Sequence, residues 1–203
     1  MPYTQPFIGF GCMVNSTHQC MEIHPDLIHQ CLKGERKAEY ELYKQTYSYL
    51  MSICVRYTHQ QDKAKEVLNI GFYKILKNLD KYNIESAFKP WARKVMINTL
   101  INEYKKQKIH YGTMVYVDSY FDDETYSEMN EAITRSNAKE IYDFIAKLPP
   151  ASQQVFNLYF IDGYKHREIA ELLNISEGTS KWHLNNAKEL LKQMLLELKV
   201  ENN

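Results

Sequence analysis

Residues 148–191 read LPPASQQVFNLYFIDGYKHREIAELLNISEGTSKWHLNNAKELL, and this stretch decides the fold. REIAELLN forms one short helix, ISEG a turn, and TSKWHLNNAKELLKQMLLEL a second helix, which together make a helix-turn-helix. Ser176 is a natural N-cap and Thr179 follows three residues on, so the second helix starts cleanly. Within it Leu184, Ala187, Leu191, Met194, Leu195 and Leu198 recur at three- and four-residue steps and share one stripe. The opposite side holds Thr179, Trp182, Asn185, Asn186 and Glu189, with Lys181 at its edge. A tryptophan opposite the buried stripe has no core to enter, so another molecule is expected to cover it. The residue types on that face suit duplex DNA.

Working outward, the 203 residues suit one or two small domains, each with a modest core. Formal net charge is zero, but by cancellation. Residues 31–111 carry 16 Lys/Arg against 8 Asp/Glu, whereas residues 112–147 carry 3 against 8. A basic block beside an acidic one suggests a polyanion-binding domain joined to a segment that avoids or mimics a polyanion; solvated helix faces are the plainer alternative.

No apolar run approaches the roughly 18 residues of a membrane span, so no membrane insertion is expected. The first 30 residues contain no Lys or Arg, which argues against a secretory signal. The four cysteines (Cys12, Cys20, Cys31, Cys54) have no disulfide-framework spacing. A cytoplasmic chain with reduced thiols is expected. Cys12, His18, Cys20, His24, His29 and Cys31 match no ligand-pair spacing, so no metal site is assigned. Residues 1–24 read as a disordered extension, with Met1 or Met21 as the start.

The rest of the chain is helical by pattern, giving an all-α fold of two small modules, residues 25–111 and 137–203, joined by a flexible acidic linker, 112–136. Helices are expected over about 35–60, from Asp62 to Leu79, and from Phe88 to Lys108. The second carries Ala64, Val67, Leu68, Phe72, Ile75, Leu76 and Leu79 inward. Its other face presents Glu66, Asn69, Ile70 and Tyr73, a protein-contact patch or a stray surface apolar residue. The third helix buries Met96, Ile97, Leu100, Ile101 and Tyr104 and turns Trp91, Lys94, Val95, Asn98, Asn102, Lys105 and Lys106 outward. Lysines attract phosphate, amides address base edges, and an aromatic ring stacks on an unpaired base, unless Trp91 only closes the end of the bundle. The one β-like run, TMVYV at 113–117, is short, and a brief helix is expected to enter at Ser127. No Gly-rich phosphate loop, GxSxG or metal motif occurs, so no catalytic residue and no cofactor is assigned, and an enzyme is the least favoured class.

Three stretches carry a resemblance. Residues 62–79 resemble D-x-AEDLVQEVFLRLW, with Ala64, Glu66, Leu68, Phe72 and Leu79 in register. Residues 88–106 resemble F-x-x-W-L-x-x-I-A-x-N-x-x-x-D-x-x-R-R. Residues 148–191 resemble LP-x-x-x-R-x-V-F-x-L…EIA-x-x-L-x-I-S-x-GTV-x-S, matching at Leu148, Pro149, Val155, Phe156, Glu168, Ile169, Ala170, Leu173, Ile175, Ser176, Gly178 and Thr179. In this order they resemble the extracytoplasmic-function (ECF) group of bacterial sigma factors in the sigma-70 family, with a Gly71–Phe72 variant like those of Bacteroidetes. The resemblance implies core RNA polymerase and promoter DNA as partners, and an anti-sigma factor as a further candidate. It implies that region 2 grips polymerase through Glu66, Asn69, Ile70 and Tyr73. The same region would open the −10 element with Tyr82, Asn83, Ile84, Trp91, Lys94, Asn98, Asn102 and Lys105. Region 4 would read the −35 element with Thr179, Lys181, Trp182, Asn185 and Asn186. The linker carboxylates Asp118, Asp122, Asp123, Glu124, Glu128 and Glu131 would imitate RNA near the polymerase, or serve solubility.

The chain departs from the family pattern at Asn69 and Ile70, where Gln and an acid are usual. Asn102 replaces Asp, Gln153 replaces Arg, and Trp182, His183 and Asn186 replace small or basic residues. An unusual −35 preference is expected. Two other readings stay open: a helix-turn-helix regulator that binds duplex DNA without polymerase, and a sigma-like interaction protein that titrates a partner.

Overall fold

A computed structural model describes residues 23–58, 60–111 and 138–201. Cys12, His18 and Cys20, the TMVYV run, the expected Ser127 helix and the acidic linker fall outside the described residues, whereas His24, His29 and Cys31 fall within them. Among the described residues there are eight α-helices and no strand. None of these helices is long and apolar enough to cross a membrane.

The first four helices surround one core. Helix α1 (Pro25–Leu32) begins with a proline, whose missing N–H is no loss in a first turn, and buries Ile28 and Cys31. The chain reverses at Gly34, whose φ of 76° lies in the left-handed region open to glycine. Helix α2 (Arg36–Thr58) then buries Leu42, Leu50, Ile53, Cys54 and Tyr57 along one side. Helix α3 (Gln61–Lys77) starts one residue before the expected Asp62, because Gln60 is the extended cap residue. Asp62 falls in the first turn, where the helix dipole favours a carboxylate. Leu79 leaves the helix for a short 3-10 turn (Leu79–Lys81), yet stays in the core. Helix α4 (Phe88–Tyr111) runs three residues past the expected end.

Helices α3 and α4 meet closely at Gly71. A Cβ there would lie 2.5 Å from Sδ and Cε of Met96, itself fully buried and 3.5 Å from Cys54 Sγ. The glycine before Phe72 therefore serves helix packing rather than flexibility.

The remaining four helices are α5 (Ala138–Lys147), α6 (Pro150–Phe156), α7 (His166–Leu173) and α8 (Glu177–Glu201), with a π-helical turn over Asn157–Ile161. The long α8 packs on α5, α6 and α7. Its inward side holds Leu184, Ala187 and Leu191 as expected, and also Ser180, His183 and Lys188. The widened turn ends with Asp162 N–H donating to Asn157 O at 2.9 Å, five residues back. Helix α7 of this half also packs against α4 of the other half.

Candidate nucleic-acid and polymerase interfaces

Four surfaces gather the residues that the sequence singles out. On α3, Glu66 and Asn69 are exposed and Tyr73 is 60% exposed. Ile70 is half-buried rather than fully outward. Lys63 pairs with Glu66 at 2.9 Å, Tyr43 donates to Asn69 Oδ1 at 3.2 Å, and the Lys77 ammonium lies 5.6 Å from the Tyr73 ring centre. The patch is therefore a partly pre-ordered mixture of acid, amide and aromatic.

The loop before α4 is shaped by its own side chains. Asn83 Oδ1 accepts from the Glu85 amide at 3.0 Å, an Asx turn, and Ser86 Oγ donates to Asn83 O at 2.6 Å. Tyr82 donates to Ser86 O and also joins an aromatic cluster. Its ring centre lies 5.3 Å from Phe88 and 5.1 Å from Trp91, with Phe88 and Trp91 5.6 Å apart. Asn83 and Ile84 are left exposed at the tip. Trp91 is half-buried within this cluster, so one part of its surface supports the loop and another faces outward.

From Trp91 the outer side of α4 continues through Lys94, Asn98, Asn102 and Lys105. Steps of three and four residues keep these on one stripe. Lys94 and Asn102 are exposed, and Asn98 and Lys105 half-buried. The stripe is about 21 Å long at 1.5 Å per residue. That length matches about six nucleotides at 3.4 Å each. Lys106 is engaged with Glu103 at 2.7 Å.

The helix-turn-helix is built by three local devices. Glu168 reaches back to accept from the Lys165 amide at 2.8 Å, which anchors the start of α7. Asn174 ends α7 at φ 56°, a left-handed position that asparagine tolerates. Ser176 Oγ accepts from the Thr179 amide at 2.9 Å and lies 2.8 Å from the Thr179 hydroxyl, capping α8 as expected. On α8, Lys181 is exposed, and Thr179, Trp182, Asn185 and Asn186 are half-buried. The Trp182 ring meets the His183 ring edge-on at 4.9 Å.

Sequence reasoning missed a polar knot beneath this face. Ser152 Oγ lies 3.0 Å from His183 Nδ1 and accepts from Asn186 Nδ2 at 3.0 Å. Asn186 thus bonds to α6; Trp182, expected to lie fully outward, is half-buried against His183, Asn185 is half-buried too, and Lys181 is the exposed member of the set. His166 Nδ1 lies 2.9 Å from the buried Ser180 hydroxyl, with its ring stacked on Tyr159 at 4.7 Å. These inward polar residues fall at helical spacing with Leu184 and Ala187, a signal the apolar pattern alone does not register. Among the described residues no group of three His, Cys, Asp or Glu side chains gathers as metal ligands would.

Comparison with known proteins follows the same division. The Sigma-70 region 2 model matches residues 42–109, and the Sigma-70, region 4 model matches residues 138–191. The ECF RNA polymerase sigma factor SigW of Bacillus subtilis is 25% identical over 181 residues, covering 84% of this chain and 96% of SigW. RNA polymerase sigma factor YlaC of the same organism is 26% identical over 160 residues, covering 78% and 88%. The solved sigma factor RpoE of Bartonella quintana, in complex with the anti-sigma factor NepR, is 15% identical at a TM-score of 0.47, covering 78% of this chain and 96% of that one. An all-α pair of modules ending in a helix-turn-helix is the class defined. Within it, the chain belongs to the sigma-70 family and is a sigma factor of the extracytoplasmic-function group.

Proposed function

We propose that this sigma factor joins core RNA polymerase and directs it to promoters through the four surfaces described, with residues 25–111 and 137–203 as its two working modules and 112–136 as the connection. The observation that carries the reading is the order of the two matched regions, region 2 then region 4, on a chain whose outward stripes hold amide, aromatic and basic groups. Glu66, Asn69, Ile70 and Tyr73 form the polymerase contact. The loop residues Tyr82, Asn83 and Ile84, with Trp91, Lys94, Asn98, Asn102 and Lys105, hold the −10 strand once it has left the duplex. Unstacking a base costs a few kcal/mol, and stacking on an aromatic ring returns about 1–3 kcal/mol. Thr179, Lys181, Trp182 and Asn185 address the −35 duplex in the major groove, with Asn186 orienting the helix from beneath.

The polymerase performs the chemistry, and the chain is not itself an enzyme; its place is the cytoplasm, where polymerase works. The test is transcription from a promoter library with core polymerase and the full chain. Productive templates should share two spaced elements. Asn83→Ala should lower open-complex formation with the upstream element unchanged, whereas Trp182→Ala should change the preferred upstream bases. Transcripts no more sequence-selective than those of core enzyme alone would overturn the reading.

A further inference from the structure

The positive charge of the first module is not spread evenly over its surface. Lys44, Lys63, Lys65 and Lys106 pair with carboxylates one turn away, and Arg56 and Arg93 are bound to Asp162. Lys94 and Lys105 lie on the α4 stripe. Six of the other cations gather in two short stretches, 33–40 and 74–81. These are Lys33, Arg36, Lys37, Lys74, Lys77 and Lys81, set against three carboxylates, Glu35, Glu39 and Asp80. Among the described residues, none of the six pairs with a carboxylate. Lys77 rests over the Tyr73 ring and Lys81 Nζ donates to Asn78 Oδ1 at 3.1 Å, contacts that leave both charges uncancelled.

The two stretches are distant in sequence and meet through the helical hairpin. Helices α2 and α3 are joined by residues 59–60 alone and pack along each other. Tyr43 sets their register, its ring edge-on to Phe72 at 5.0 Å and its hydroxyl on Asn69. Arg36 lies two turns before Tyr43 and Leu79 two turns after Phe72, so both fall at the same end of the pair. Helix α1 packs on α2 and on the 3-10 turn Leu79–Lys81, which brings the Lys33 corner there as well. Of the six cations only Lys74 is half-buried, and the rest are exposed. Tyr40, one turn on from Arg36, is 65% exposed, with the Lys44 ammonium 5.9 Å from its ring centre. An exposed ring among uncancelled cations is the composition that holds single-stranded nucleic acid: the charge follows the backbone and the ring stacks on an unpaired base. Lys81 adjoins Tyr82, so this surface begins where the −10 loop begins, on the side away from the α4 stripe.

We propose that this end of the bundle is a second single-strand site, which takes the promoter strand as it leaves the loop and carries it toward the start of transcription. Lys33, Arg36, Lys37, Lys77 and Lys81 hold its phosphates and Tyr40 stacks on one of its bases. The inference rests on the promoter reading above for the identity of the strand. The −10 element lies upstream of the first transcribed base, and the strand has to stay open across that gap. The α4 stripe ends at the loop, and the cluster extends the path beyond it.

The test is binding of fluorescent single strands to the full chain in complex with core polymerase, with far-UV circular dichroism as the fold control. One strand ends at the −10 element, and the other runs about six nucleotides further toward the start site, the span of the α4 stripe. Wild type should hold the extended strand about tenfold more tightly than the short one. Arg36→Ala combined with Lys37→Ala should remove most of that gain and lower the salt slope by about 0.7 for each cation lost. Tyr40→Ala should cost the extended strand about fivefold, whereas Tyr40→Phe keeps the ring and should cost little. The short strand should bind every variant like wild type. Equal affinity of wild type for both strands would overturn the second site and leave the promoter reading standing. Loss of core polymerase by the variants would overturn it too, and would assign the cluster to the protein contact beside Tyr73. If the short strand binds no better than a scrambled one, while the extended strand still depends on Arg36, Lys37 and Tyr40, the single-strand site stands and the promoter reading falls.

Discussion

Cys54 shows how much a single buried atom sets the conditions of stability. Burial pushes its thiol up to about 12 from 9.0, with the nearby Arg56 charge opposing, and Sγ sits against Met96 in the core. A group whose native pKa is raised stabilises the fold fully below its unfolded value and loses that contribution as pH climbs toward the native one. For Cys54 the loss begins near pH 9 and amounts to about 1 kcal/mol by pH 10. Tyr57 and Tyr49 are displaced upward too, by burial first, and add their own loss at higher pH. Cys54→Ala should therefore flatten the fall in urea midpoint between pH 8 and 10. An unchanged slope in that variant would place the alkaline sensitivity elsewhere. Nothing in the local sequence around Cys54 announces this; the thiol is perturbed by what α4 places on top of it.

At the scale of elements, the caps and the aromatic cluster decide which helices stay ordered. Ser176→Ala removes the acceptor for the Thr179 amide and should cost about 1 kcal/mol, read as a lower unfolding midpoint. Its effect on upstream-element binding should follow the fraying of the first turn of α8 rather than any lost base contact. Trp91 is a harder case, because it supports the loop before α4 and shares the outer stripe. Trp91→Ala should lower stability by about 2 kcal/mol, since the residue is half-buried and pairs with two rings. Trp91→Phe should keep most of that stability. If the ring only packs, the Phe variant will bind single-stranded −10 DNA like wild type; if it also stacks on a base, binding falls while the midpoint holds.

Much at this scale was legible in sequence: the helix-turn-helix, the Ser176 cap, the inward faces of α3 and α4. Helix α3 starts one residue before the Asp62 that the sequence suggests, because Asp62, a good cap by residue type, is outcompeted by the extended Gln60. The inward side of α8 is wider than its apolar stripe. Ser180, His183 and Lys188 are polar, so an apolar count passes over them, although Ser152 and His166 were available to satisfy two of them.

For the whole molecule, the legible and the hidden divide by sequence distance. Periodicity reports a residue's neighbours within a few turns, so it placed Trp91, Lys94, Asn98 and Asn102 on one stripe. It cannot report that Asp162 meets Arg56, Tyr57 and Arg93 across more than 60 residues of intervening chain. The residues 155–161, VFNLYFI, read as plain helix, and nothing in them marks the widened turn that aims Asp162. The family resemblance did not mark it either, since the motif match skips from Phe156 to Glu168. The charge pattern, by contrast, was visible from the start: a basic first module, +8 over residues 31–111, fits a partner that is itself a polyanion.

The most direct measurement is co-elution of the full-length chain with purified core RNA polymerase at moderate salt. A stable one-to-one complex, weakened by Tyr73→Ala on the outer face of α3, is the predicted result. Absence of any complex, together with tight binding of the chain alone to duplex DNA, would contradict the account and leave a polymerase-independent regulator.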